Sequence, residues 1–158
     1  NQLNHKIVRV LYVVCNDDPT NGEFQSNDPI KNKAKNALNR IDLNIKLLQT
    51  FLSEIMFKNF HTRKTFSLKT DLIHKHIENN EWNSCEIYYT KLSINKALGL
   101  SSNEIFLYLA EEIKQNKDLY DENTKYIAIL SFTRYFPQLN TLDNSIFSKT
   151  KGFCALGY

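Results

Sequence analysis

Histidine, cysteine and carboxylate side chains mark where this chain could do chemistry, and their spacing limits what that chemistry can be. His74-Lys75-His76, followed by Glu78 and Cys85, carries metal-ligand residue types, and in an extended segment two imidazoles at i and i+2 project to one face. A metal centre needs three or four ligands and a supporting shell, and the Lys75 charge between the imidazoles opposes a cation. The pair is therefore read as surface histidines. His5 and His61 have no acidic or sulfur partner close in sequence, and no His-Glu-x-x-His helix occurs in the 158 residues. Neither a Gly-x-Ser-x-Gly elbow nor a phosphate loop is present, and four glycines are too few to cradle a nucleotide.

The remaining candidates have plainer readings. Asp17-Asp18 and Glu111-Glu112 are adjacent acids, and neighbours in sequence diverge on a helix, so both pairs are expected to be solvated. Cys15 is a nucleophile by type, but burial raises a thiol's pKa, and an inert packed side chain is expected. Arg134-Tyr135-Phe136 follows a strand, where α/β folds place functional side chains; the competing reading is an arginine that ties down a loop carboxylate. Three widely spaced cysteines, Cys15, Cys85 and Cys154, argue against a disulfide framework. No complete catalytic, cofactor or metal site is expected within these residues.

Composition sets the class. With 42% hydrophobic and 23% charged residues the chain is globular rather than disordered. A net charge of +3 from scattered basic residues does not imply nucleic-acid binding; Lys31, Lys33, Lys35 and Arg40 are read as a solvated helix face. The apolar run Val10 to Cys15 is far short of the ~20 residues a membrane span needs. No Asn-x-Ser/Thr acceptor and no signal peptide are found. The expected location is the cytoplasm, with the nucleus as the second choice. Neither a membrane nor a nucleic acid is expected as a partner, and oligomeric state is not legible.

The elements that must position any site are clearer. Ile7 to Cys15 is a β-branched and aromatic run ended by Asn16-Asp17-Asp18-Pro19, which predicts an internal strand buried on both faces. Asp28-Pro29 predicts a helix start. Ala34, Leu38, Ile41, Ile45, Leu48, Leu52 and Ile55 then recur at spacings of four and three, and Leu43, Leu47, Phe51 and Phe57 widen the face. One rod is predicted from Pro29 to about Phe60, laid across a sheet. Lys64 to Lys69 alternates and predicts a half-exposed strand. Residues 71–125 are read as a helical insertion, within which Glu86 to Thr90 is strand-like and Ser101 or Ser102 opens a helix running to Gln115 with Ile105, Phe106, Leu109 and Ile113 buried. Tyr126 to Phe132 is a second run suited to a strand buried on both faces, followed by Pro137 and a polar loop. Phe153 to Leu156, between Gly152 and Gly157, predicts a last short strand. The fold class is α/β: a mixed, mostly parallel sheet with a long backing helix.

Five blocks in this order, Val10-Leu-Tyr-Val-Val14, Leu47-Leu-Gln-Thr-Phe51, Arg63-Lys-Thr-Phe66, Phe132-Thr-Arg-Tyr135 and Gly152-Phe-Cys-Ala-Leu-Gly157, resemble the eukaryotic, fungal-type family of zinc metallopeptidases. That family is similar to metzincin-like peptidases, whose upper subdomain begins strand, long helix, strand and further strands before the helix bearing His-Glu-x-x-His. The resemblance implies that residues 1–158 form the N-terminal part of a larger peptidase domain, with zinc as its metal and a peptide or protein as substrate. Ligands and general base would then follow Tyr158, so no catalytic or metal residue carries over to a position here. By the same resemblance Gly152, Phe153, Cys154, Ala155, Leu156 and Gly157 approach the edge of the substrate cleft. The expected role is a scaffold; the alternative is a non-enzymatic module that binds a partner protein through the long helix or a strand edge.

Overall fold

The computed structural model describes residues 7–22, 34–69, 84–132, 145–147 and 153–157, the last two stretches as backbone. Their order is strand β1 (Ile7–Cys15), helix α1 (Ala34–Phe60), β2 (Ser67–Leu68), β3 (Cys85–Thr90), α2 (Ile94–Leu98), α3 (Ser102–Gln115), β4 (Thr124–Leu130), β5 (Ser145–Phe147) and β6 (Phe153–Gly157). All six strands join one sheet in the order β2-β1-β4-β6-β5, with β3 also on β1. Only β5 runs antiparallel, against β6. The mixed, mostly parallel α/β architecture is the one expected from the sequence.

β1 pairs with three strands of that sheet, β2, β3 and β4. Its alternate side chains serve two different layers, because successive Cβ atoms point to opposite faces of a strand. Val8, Val10, Tyr12 and Val14 pack with Ala37, Leu38, Ile41 and Ile45 of α1. Leu11 and Val13 pack with Ile105, Phe106, Leu109 and Ile113 of α3 and with Tyr126, Ala128 and Leu130 of β4. A strand covered by a helix on each face is apolar at nearly every position, which is why Ile7 to Cys15 has little alternation; the exception, Arg9, is half-buried and pairs with Glu86 of β3 at 2.7 Å.

β2 is shorter than the predicted Lys64–Lys69. It pairs with β1 only at Ile7↔Ser67 and Val8↔Leu68, because β3 occupies the rest of that edge from Val10↔Cys85 to Cys15↔Thr90. Residues 71–125 supply α2 and α3, and also β3, so the strand-like reading of Glu86–Thr90 is the one the structure follows. β5 falls in the segment read as a polar loop. β4 alternates buried and half-buried residues instead of being buried on both faces, since α3 covers one face fully while Ile127 and Ile129 are only partly covered on the side of α1.

α1 departs from expectation in a more consequential way. At 27 residues it is roughly 40 Å long, against roughly 30 Å for a nine-residue strand. Ala37, Leu38, Ile41 and Ile45 of its first half pack on the sheet, whereas Leu43, Leu47, Phe51 and Phe57, which point to other sides of the helix, are 59%, 57%, 61% and 43% exposed. These residues do not widen the buried face. The predicted start at Asp28-Pro29 lies outside the described residues. On the packed half, the Asp42 carboxylate accepts the Ser84 backbone N–H at 2.6 Å and the Lys46 ammonium at 2.5 Å, tying the helix to the start of β3. α3 begins with the expected cap: the Ser101 hydroxyl accepts from the Glu104 N–H while the Glu104 carboxylate accepts from the Ser101 N–H.

Candidate functional site

In open α/β sheets ligands bind outside the carboxyl ends of parallel strands, where successive connections leave for opposite faces. Here β1, β3, β4 and β6 are parallel, so Cys15, Thr90, Leu130 and Gly157 end at the same side of the sheet. The chain leaving β1 goes to α1 on one face, and the chain leaving β3 goes to α3 on the other. That divergence makes the carboxyl end the place to look.

The loop after β1 is held by its own acids. Asp18 accepts the Thr20 N–H and hydroxyl at 2.9 and 2.7 Å and the Gly22 N–H at 3.0 Å. The buried Tyr12 hydroxyl donates to the Gly22 carbonyl at 2.8 Å. Gly22 is required twice over: its φ is +82°, and a Cβ there would lie 2.6 Å from Val14 Cγ2. Asp17 reaches across to accept the Ile94 N–H at 3.0 Å, at the start of α2. The neighbouring turn is held from α3: Glu112 accepts the Thr90 hydroxyl at 2.6 Å and the Lys91 N–H at 2.8 Å. Thus Asp17, Asp18 and Glu112, expected to be solvated, fix the loops around the strand ends. The partners of Asp17 and Glu112 come from distant segments, so no local pattern announces them, whereas Asp18 binds within its own loop, at Thr20 and Gly22.

Cys15 lies among these carboxylates. Burial, then Asp17, Asp18 and Glu112, push its thiol up to about 12, so it stays protonated at neutral pH. His61 follows the last residue of α1, toward the opposite end of the sheet, where β2 pairs with Ile7. No Cys–His dyad is formed by these two. Cys85 pairs with Val10 and Cys15 with Thr90; five residues of strand hold the two thiols roughly 17 Å apart, and burial raises the Cys85 thiol as well. They cannot share a metal.

Beside the end of β3 lies a groove of about 510 Å³ lined by Tyr88, Lys91, Tyr108, Glu111, Glu112 and Asn116. Burial and the Glu112 charge raise the Tyr88 phenol to about 12, so it remains a neutral donor facing a carboxylate already committed to the Thr90 turn. The wall combines two tyrosine rings with side chains of both charges.

Of the predicted cleft-edge residues, Gly152 lies outside the described residues. Phe153, Cys154, Ala155, Leu156 and Gly157 form β6, paired with β4 on one side and β5 on the other. The outermost described strand on that side is β5. His74, His76, Glu78, His5 and Arg134 to Phe136 lie outside the described residues, as do the side chains of Lys31, Lys33 and Lys35. Among the described residues no three of His, Cys, Asp or Glu converge on a point where they could hold a metal ion, and no described helix is long and apolar enough to cross a membrane. The described side chains therefore do not fit a metal centre.

No curated protein and no solved structure matches the chain. A family model does, the one described as "Putative peptidase family" (Metallopep), and the match runs over residues 1–158. With every position of the sequence inside that match and a mostly parallel sheet behind it, the chain belongs to this peptidase family.

Proposed function

We propose that the chain is the N-terminal, sheet-bearing scaffold of a zinc-dependent metallopeptidase domain whose metal ligands and general base stand in sequence following Tyr158. Family membership over residues 1–158 carries the reading. It is supported by the lack of any His-Glu-x-x-His in these residues. None of the described side chains is assigned a metal or a proton transfer.

The substrate is a peptide or protein, met at the β5–β6 side of the sheet. An outermost antiparallel strand offers backbone N–H and C=O groups on which an extended peptide can add a further strand, and β6, from Phe153 to Gly157, backs that strand directly. Cys15 and Cys85, both free and buried, suit a reducing compartment such as the cytoplasm.

Hydrolysis of a peptide library by the full-length gene product tests the reading. Cleavage that stops on addition of a zinc chelator and returns with zinc is the expected outcome. A folded, full-length protein that cleaves nothing with zinc present would favour the second reading, a non-enzymatic interaction module, whose specific support is the exposed apolar row on α1.

A further inference from the structure

Leu43, Leu47 and Phe51 form an i, i+4 row on α1 and are each close to 60% exposed. They lie away from Leu38, Ile41 and Ile45, which pack toward the sheet. With Leu48 and Phe57 on its flanks the row makes an apolar patch on the order of 300–600 Å², the upper range that monomers carry.

Two of the charges on the strip of this row are placed symmetrically about Leu47. Arg40 and Glu54, both exposed, stand about two helical turns before and after Leu47 on the same strip. Turning a second copy about a two-fold axis at Leu47 sets Leu47 against Leu47 of the partner subunit and Leu43 against Phe51 of the partner subunit. The same rotation sets Arg40 against Glu54 of the partner subunit. A parallel pairing in register would instead oppose like charges at both ends. Self-complementarity of this kind is what an isologous dimer requires. At the shallow crossing of about 20° that one class of helix pair adopts, both ends of the strip stay within reach.

We propose that α1 is the interface of a homodimer, two antiparallel helices crossing at Leu47 with an Arg40–Glu54 pair closing each end. Glu54 already pairs with Arg63, and both side chains are more than half exposed, so the carboxylate can accept a second cation. The interface is small and belongs to the weak, reversible class.

Sedimentation of the full-length protein from about 1 to about 100 μM tests the proposal. A dimer that dissociates on dilution is expected. Leu47→Glu weakens it at least about ten-fold by burying a charge at the axis, on an exposed position where the fold is not at risk. Arg40→Glu and Glu54→Arg each weaken it about three-fold or more, and the double variant recovers association because the pair is reversed. Glu54→Arg also deprives Arg63 of its partner, which the double variant does not repair, so recovery reports the contact between subunits alone. A wild type that stays monomeric throughout means that another part of the full chain covers the row, and it overturns the proposal. A dimer indifferent to Leu47→Glu, or a double variant that fails to recover, does the same.

Discussion

Cys15 stands where a nucleophile would be sought, at the carboxyl end of the central strand, and its surroundings keep it a thiol. Burial and three nearby carboxylates act in the same direction, so an alkylating reagent at about pH 8 should leave Cys15 and Cys85 unmodified in the folded protein and label both after unfolding. Peptide mapping checks this, and rapid labelling of native Cys15 would contradict it. Glu112 has the opposite character, committed rather than inert. It accepts from a Thr90 side chain that is fully buried, so Glu112→Ala leaves that hydroxyl and the Lys91 N–H without their acceptor and should cost about 2–3 kcal/mol in denaturant unfolding. A loss under about 0.5 kcal/mol would show that water replaces the carboxylate. The inert thiol was legible from its apolar neighbours. The work of Asp17 and Glu112 was not, because their partners are 77 and 21–22 residues away in the chain, and adjacent acids look solvated until the fold brings a donor to them.

At the scale of elements, hydrophobic periodicity located β1, α1, α3 and β4 but could not say how much surface each would find to cover. α1 shows the difference: Ile41 and Ile45 are buried while Leu48 and Ile55, further along the same 3.6-residue stripe, are exposed. β2 is cut short for a related reason, competition with β3 for one edge of β1, which sequence order does not reveal. The packed half of α1 is pinned by Asp42. Burial works against its charge, but the hydrogen bonds from Lys46 and from the Ser84 N–H outweigh it and hold the carboxyl below its ordinary value of 3.8. With the folded pKa below the unfolded one, the unfolded chain binds the extra proton. The stabilisation is therefore complete at pH values above the ordinary value and is lost as pH falls through the folded one. Asp42→Asn should lower stability at neutral pH and flatten the acid limb of the stability curve below about pH 4. An acid limb identical to that of the wild type would remove Asp42 from this role.

For the whole molecule, the class of fold followed from two largely apolar runs, Ile7–Cys15 and Tyr126–Phe132, separated by a long helix, since such runs need packed layers to cover them, although the second is fully covered on one face only. What stayed hidden was how the sheet ends. β5 is three residues of a segment read as loop, yet as the antiparallel neighbour of β6 it is the outermost described strand on the side where peptide substrate is proposed to bind. The same proposal assigns metal binding to sequence after Tyr158, and zinc stoichiometry of the full-length protein, measured beside a His74→Ala/His76→Ala variant of it, tests that assignment most directly. One zinc per chain, unchanged in the variant, is the predicted result. A folded full-length protein without zinc, or zinc lost on replacing those two histidines, would contradict it.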